Sequence, residues 1–226
     1  MIALALDSSG SACSVALVER NGTVLARRFR AMSRGHAEVL MPMLRDAMTE
    51  AGVGFDALGL IAATVGPGSF TGIRVGLAAA QGLALATGLP AMGITAFEAV
   101  AEAVEPDGAA VVVAIESRRA ELFVQIFADS GIASGPPMAV APEDLAAVLP
   151  DGRLVLAGDG AERAAAALTA AGRAIAVSGV AAPDARHVAR VALRRRLQGG
   201  AVPALQPLYL RAPDVTLPRR QGAVSS

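Results

Sequence analysis

Short apolar runs separated by polar turns dominate the chain. The segments 2–7 (IALALD), 11–19 (SACSVALVE) and 23–31 (TVLARRFRA) read as three consecutive strands. The SSGS and RNG turns between them predict a β-meander. The spacing then changes. Across 36–51, Leu40, Leu44, Ala47 and Met48 fall on one helical stripe, and Gly52 ends it. An interior proline breaks a helix, so Pro42 is expected in or near the first turn. LGLIAATVG reads as a buried strand, 71–87 as a helix and PAMGI (90–94) as a further strand.

The pattern restarts after EPDG (105–108). AAVVVAIES and AELFVQIFA are strands joined by a charged turn, and PMAVA is a weaker one. A helix in PEDLAAVL opens on Pro142. Then follow the strand RLVLAG, an alanine-rich helix over 161–171, the strand AIAVSG and a last helix over 184–197. The order βββαβα thus occurs twice, in halves 1–106 and 107–226. The β-α-β units call for parallel strands with right-handed crossovers. The predicted class is α/β, a duplicated fold with a cleft between halves.

Composition narrows this picture. The 226 residues are 54% hydrophobic and 18% charged, which excludes a disordered chain. Lys+Arg and Asp+Glu are 20 each, so the chain lacks the basic excess needed to grip nucleic acid unaided. A single cysteine, Cys13, excludes an internal disulfide and fits a reducing, cytoplasmic setting. The uncharged stretch 75–97 is long enough to span a bilayer, but it is rich in Ala and Gly and is broken by TGLP. A helix stopping at Gly88 is expected instead, with no membrane span. The tail 212–226, rich in Pro, Arg and Ser, is expected to fray.

Two glycine-containing turns are the candidates for chemistry. In LDSSGS an aspartate ends a strand, and Asp7, Ser8 and Ser9 could hold a nucleotide phosphate through turn N–H groups. The alternative is a polar hairpin. GPGSFTGIRVG (66–76) precedes a helix whose free N–H groups attract anions. It carries no P-loop lysine and no carboxylate, and close packing is favoured over phosphate binding. Gly72 and Gly76 leave one helix face nearly bare, and Ala78, Gly82 and Ala86 make a second small face. Two histidines and one cysteine, far apart in sequence, make a metal site improbable. His36 and His187 are expected on helix surfaces or as caps. RVALRRRL (190–197) reads as the solvated face of the last helix, with contact to RNA as the alternative.

LALDSSGSACSVAL, HAEVLMPMLRDAM, VGPGSFTGIRVGLAAAQGLALATGLPAMGITAFEAVA, IESRRAELFVQIF, LAGDGA and LYLR occur in this order. Together they resemble the TsaB (YeaZ) family of tRNA threonylcarbamoyladenosine biosynthesis proteins, over nearly the whole chain. The resemblance implies the fold of the actin, sugar-kinase and Hsp70 superfamily (ASKHA). It also implies a partner subunit without catalytic residues. This subunit supports the related transferase TsaD, together with the ATPase TsaE, in modifying the adenosine beside the anticodon of tRNAs that read codons beginning with A. The related transferase has two metal-binding histidines where this chain has Ala96 and Val100, and hydrocarbon side chains have no lone pairs for a metal. No metal and no cofactor of its own are expected, with ATP or ADP only in the complex. Asp7, Ser8 and Ser9 would then be a vestigial nucleotide site, and Asp159 structural. The expected partner surface lies on the two helices of the first half, at Leu40, Met43, Leu44, Ala47, Gly72, Ile73, Gly76, Ala79 and Ala80. Met41, Met43 and Met48 add adaptable apolar contacts. The same patch would close a homodimer when the chain is alone, and a large charged residue at Gly76 would abolish pairing. An alternative is an active small-molecule kinase of the same superfamily, for which Asp7 lacks a convincing carboxylate partner.

Overall fold

The first three strands, β1 (Ile2–Asp7), β2 (Ala12–Glu19) and β3 (Val24–Ala31), form the antiparallel meander. β4 (Leu58–Gly66) then pairs parallel to β1, and β5 (Ala91–Thr95) parallel to β4. The first sheet therefore has the order β3-β2-β1-β4-β5. Its centre reads as almost unbroken apolar sequence because both faces are covered. Its edge strand β3 carries Arg27, Arg28 and Arg30, charges that discourage edge-to-edge pairing. The computed structural model describes residues 1–199 and 203–210, so the tail 212–226 lies outside the described residues.

The second sheet repeats this plan. β6 (Ala110–Glu116), β7 (Leu122–Phe127), β8 (Met138–Val140), β9 (Leu154–Ala157) and β10 (Ile175–Val177) form the order β10-β9-β6-β7-β8. Read from the meander edge, the two orders are the same.

Helices α1 (His36–Ala51) and α2 (Phe70–Thr87) cover one face of the first sheet. Leu40, Leu44, Ile73 and Leu77 pack there on Leu4, Leu6, Val15 and Leu17. α1 ends at Gly52 in the left-handed region, where the Gly52 and Val53 N–H groups meet the free carbonyls of Thr49 and Met48. α2 ends likewise at Gly88. Pro42 lies inside α1, in its second turn rather than its first, and faces solvent. No helix among the described residues is long and apolar enough to cross a membrane.

In the second half, Pro142–Asp144 forms a single 3₁₀ turn that runs into α4 (Leu145–Val148). α4 and α5 (Ala161–Ala170) cover one face of the second sheet. The remaining two helices cross over. α3 (Ala96–Ala101), six residues with no legible periodicity, follows the first sheet but packs Phe97 and Val100 on Val111, Val113 and Phe127 of the second. α6 (Ala185–Gln198) follows the second sheet but packs Ala185, Val188, Ala189 and Ala192 on Ala3, Ala5, Leu60 and Met92 of the first. Alanines on both sides let α6 lie close to the strands. The Glu98–Arg195 and Glu102–Arg194 ion pairs bind the two crossed helices to each other.

Candidate functional site

A cleft of about 350 Å³ opens between the halves. One wall is the β1–β2 turn (Ser9, Gly10, Ser11) and the β4–α2 loop (Gly68, Ser69, Phe70). The other is the β6–β7 turn (Glu116, Ser117, Arg118) with Asp159. Ala96 and Val100, one turn apart on α3, present hydrocarbon at its floor.

Asp7 stands at the end of β1, only 1% exposed. Its Oδ1 accepts hydrogen bonds from the Ser9 hydroxyl at 2.7 Å and the Ser9 N–H at 3.2 Å, while Oδ2 makes no hydrogen bond within normal geometry among the described residues, with the Thr64 hydroxyl nearby. Burial pushes the carboxyl up to about 6, against the lowering effect of those hydrogen bonds. The Ser9 N–H is one that a phosphate would use, and it is already taken. Asp7 lies beneath the cleft wall, not in it. Asp159 is placed differently, exposed in the opposite cleft wall after β9. Its Oδ1 accepts the Glu116 N–H at 2.9 Å, and partial burial raises its pKa. It holds the β6–β7 turn, as a structural residue does.

The glycine-rich loop lies hard against the β1–β2 turn. Ser69 N–H donates to Ser9 O at 2.6 Å, and the Ser8 hydroxyl donates to Gly72 O at 2.8 Å. A Cβ on Gly68 would stand 2.1 Å from Ser9 O, and one on Gly72 2.0 Å from Ser8 O. These two glycines allow close backbone contact with the β1–β2 turn of the same chain, not with another helix.

The partner-surface residues need correction. Leu40, Leu44, Ala47, Gly72, Ile73, Gly76 and Ala80 are all buried within this chain, and Met43 and Ala79 are partly buried against the same core. They form the inner stripe that holds α1 and α2 to the sheet. Gly76 faces Ser8 Oγ, 2.8 Å from where its Cβ would stand, so substituting it attacks the fold before any interface. The solvent side holds other residues. Leu85 is 88% exposed, Phe70 53% and Met41 46%. Ala78, Gly82 and Ala86, the second small face, are exposed with them. The buried stripe Gly72, Gly76 and Ala80 has the same i, i+4, i+8 spacing of small residues, so the spacing alone did not tell the two faces apart.

The end of the described chain joins this face. Leu208 N–H donates to Val65 O, and Gln81 Nε2 donates to Leu205 O. Tyr209 stacks on Phe70 at 5.8 Å, and the Arg74 guanidinium lies 3.6 Å above the Phe70 ring. No motif in the sequence pointed to this contact.

Both histidines are buried, not on helix surfaces. His36 is 8% exposed and His187 5%. Burial, aided by the Arg186 charge, pulls His187 down to about 4, and its Nε2 accepts from Arg186 Nε–H at 2.9 Å. The last helix buries Val191, Ala192 and Leu193, while Arg194 and Arg196 on its other side are exposed, as expected of a solvated arginine face, with Arg194 and Arg195 paired to Glu102 and Glu98. Among the described residues, no group of three His, Cys, Asp or Glu could hold a metal ion.

A family model for TsaD, tRNA N6-adenosine threonylcarbamoyltransferase, matches residues 29–134. The chain is 40% identical over 122 residues to the tRNA threonylcarbamoyladenosine biosynthesis protein TsaB of Escherichia coli, covering 53% of this chain and 52% of that protein. The match to the Haemophilus influenzae TsaB is 38% identical and covers 51% of it, so the chain spans about half the length of the curated relatives it matches. The structure of YeaZ from Pseudomonas aeruginosa superposes with a TM-score of 0.79 at 30% identity, covering 92% of this chain and 99% of that one. The chain belongs to the TsaB (YeaZ) family. An activator of 2-hydroxyisocaproyl-CoA dehydratase from Clostridium difficile, 8% identical with a TM-score of 0.53, shares the fold alone. The architecture is the duplicated α/β fold of the actin, sugar-kinase and Hsp70 superfamily.

Proposed function

We propose that this TsaB-family chain is a non-catalytic subunit that supports a TsaD transferase in forming N6-threonylcarbamoyladenosine next to the anticodon of tRNAs reading codons beginning with A. One observation carries the non-catalytic part. Ala96 and Val100 line the cleft floor one helical turn apart, where the resemblance to TsaD calls for two metal-binding histidines. A methyl and an isopropyl group do not fit a metal, and no catalytic step can be routed through one here. The buried Asp7 supports the same reading, since its carboxylate is held by Ser9 and not offered to the cleft.

The proposed docking face for TsaD is the outer side of α1 and α2, with Met41, Phe70, Ala78, Gly82, Leu85 and Ala86. Small residues allow a facing helix to approach closely, and the exposed Leu85 and Phe70 supply apolar area. When the chain is alone, the same face closes a C2 homodimer. TsaE supplies the ATPase of the assembly, ATP or ADP binds only in the complex, and the setting is the cytoplasm.

The test is a reconstituted tRNA modification reaction with this chain omitted. Modification should cease without it, and Leu85→Arg should fold normally, fail to co-elute with TsaD and fail to restore the reaction. Full modification in the absence of the chain would refute the proposal.

A further inference from the structure

A second surface lies on the opposite side of the first sheet from α1 and α2. A shallow groove of about 290 Å³ runs between the β2–β3 turn and α6, with Arg20, Asn21, Arg190, Arg194 and Gln198 around an aliphatic base that includes Leu193. No Asp or Glu among the described residues lines it. The chain as a whole has 20 basic and 20 acidic side chains, so this is a local separation of charge. Arg194 is held by Glu102 at 2.8 Å. The Arg20 and Arg190 side chains make no hydrogen bond or ion pair among the described residues, and Glu19 lines the adjoining hollow beside Met1.

We propose that this groove contacts the phosphate backbone of the tRNA. The inference rests on the proposed function and deepens it by naming where RNA touches this subunit. Guanidinium forks match phosphate oxygens in pairs. The amides of Asn21 and Gln198 can donate to ribose or phosphate oxygens, and the leucine surface suits the apolar side of a ribose. Charge selects a polyanion, and the position leaves the α1–α2 face free for the transferase. Two unpaired arginines are too few to hold RNA alone, which accords with the balanced net charge. They add to a site completed by the partner.

The experiment measures binding of an unmodified tRNA transcript to the complex of this chain with TsaD across a salt series. Arg20→Ala/Arg190→Ala should weaken binding about tenfold and lower the slope of log affinity against log salt by about 1 to 2, as expected for two lost phosphate contacts. Arg20→Lys/Arg190→Lys should restore most of the slope, and co-elution with TsaD should be unchanged in both. If wild-type and alanine complexes bind tRNA with the same affinity and slope, the groove is not an RNA contact, while the proposed function stands. If the wild-type complex does not form or binds no tRNA, the proposed function fails and this surface fails with it.

Discussion

Two glycines of the same helix should respond in opposite directions to the same substitution. In Gly72→Ala the new Cβ would stand 2.0 Å from the Ser8 carbonyl oxygen, where ordinary contact begins near 3.4 Å. Helix and turn must separate by about 1.4 Å, and because both atoms sit on backbone, no rotamer relieves the clash. The separation breaks the Ser69–Ser9 and Ser8–Gly72 hydrogen bonds, each contributing about 1 kcal/mol. Overpacking adds about 1–3 kcal/mol, and the helix preference for alanine returns about 1 kcal/mol. The net loss is about 2–4 kcal/mol, or about 5–15 °C in Tm for a chain of this size. Gly82 has nothing among the described residues within 4 Å of its Cβ position. Gly82→Ala should therefore gain about 1 kcal/mol and raise Tm by about 2–4 °C. Thermal unfolding of both variants by circular dichroism in dilute solution decides the matter. Shifts of the same sign, or a Gly72→Ala protein as stable as the parent, would refute the packing role given to the loop.

Two buried titrations should oppose each other. Asp7 is raised from 3.8 to about 6, so the native state keeps a proton that the unfolded chain has shed, and stability is lost as pH rises from about 4 to about 6. His187 is lowered from 6.5 to about 4, so the unfolded chain takes a proton first, and stability is lost as pH falls through the same range. Each effect is worth about 3 kcal/mol when complete. Asp7→Asn should leave stability rising with pH, His187→Gln should leave it falling, and urea midpoints between pH 4 and 7 would show a flat response to either change if the titrations were absent. Thr95 caps α3 in a reciprocal pair with Glu98, its Oγ1 accepting the Glu98 N–H at 3.1 Å while Glu98 accepts the Thr95 N–H at 3.0 Å. Thr95→Ala should cost about 1 kcal/mol, read as a fall of about 2–4 °C in Tm, and an unchanged Tm would mean that the cap carries no weight.

Much of the architecture was legible because the chain punctuates itself. The stripe at Leu40, Leu44 and Met48 and the stops at Gly52 and Gly88 give both long helices of the first half almost to the residue. What the letters do not carry is which side of an apolar helix faces inward. α2 has small residues on both sides, and only the approach of Ser8 tells Gly72 and Gly76 from Gly82. Burial of His187 and pairing of Arg194 and Arg195 were hidden for a different reason. Both depend on α6 leaving its own half, a long-range event with no local periodicity. α3 was missed because six residues give too short a window for a 3.6-residue period to register.

The exchange of α3 and α6 has a consequence for how the molecule can be taken apart. A fragment cut at the exposed 105–108 connection would keep a five-stranded sheet but lose the helix that roofs one side of it, leaving Ala3, Leu60 and Met92 open to water. The complementary fragment would carry α6 with no strands to receive it. Each piece thus holds the missing lid of the other, so the two should be insoluble when expressed separately and reassociate when expressed together.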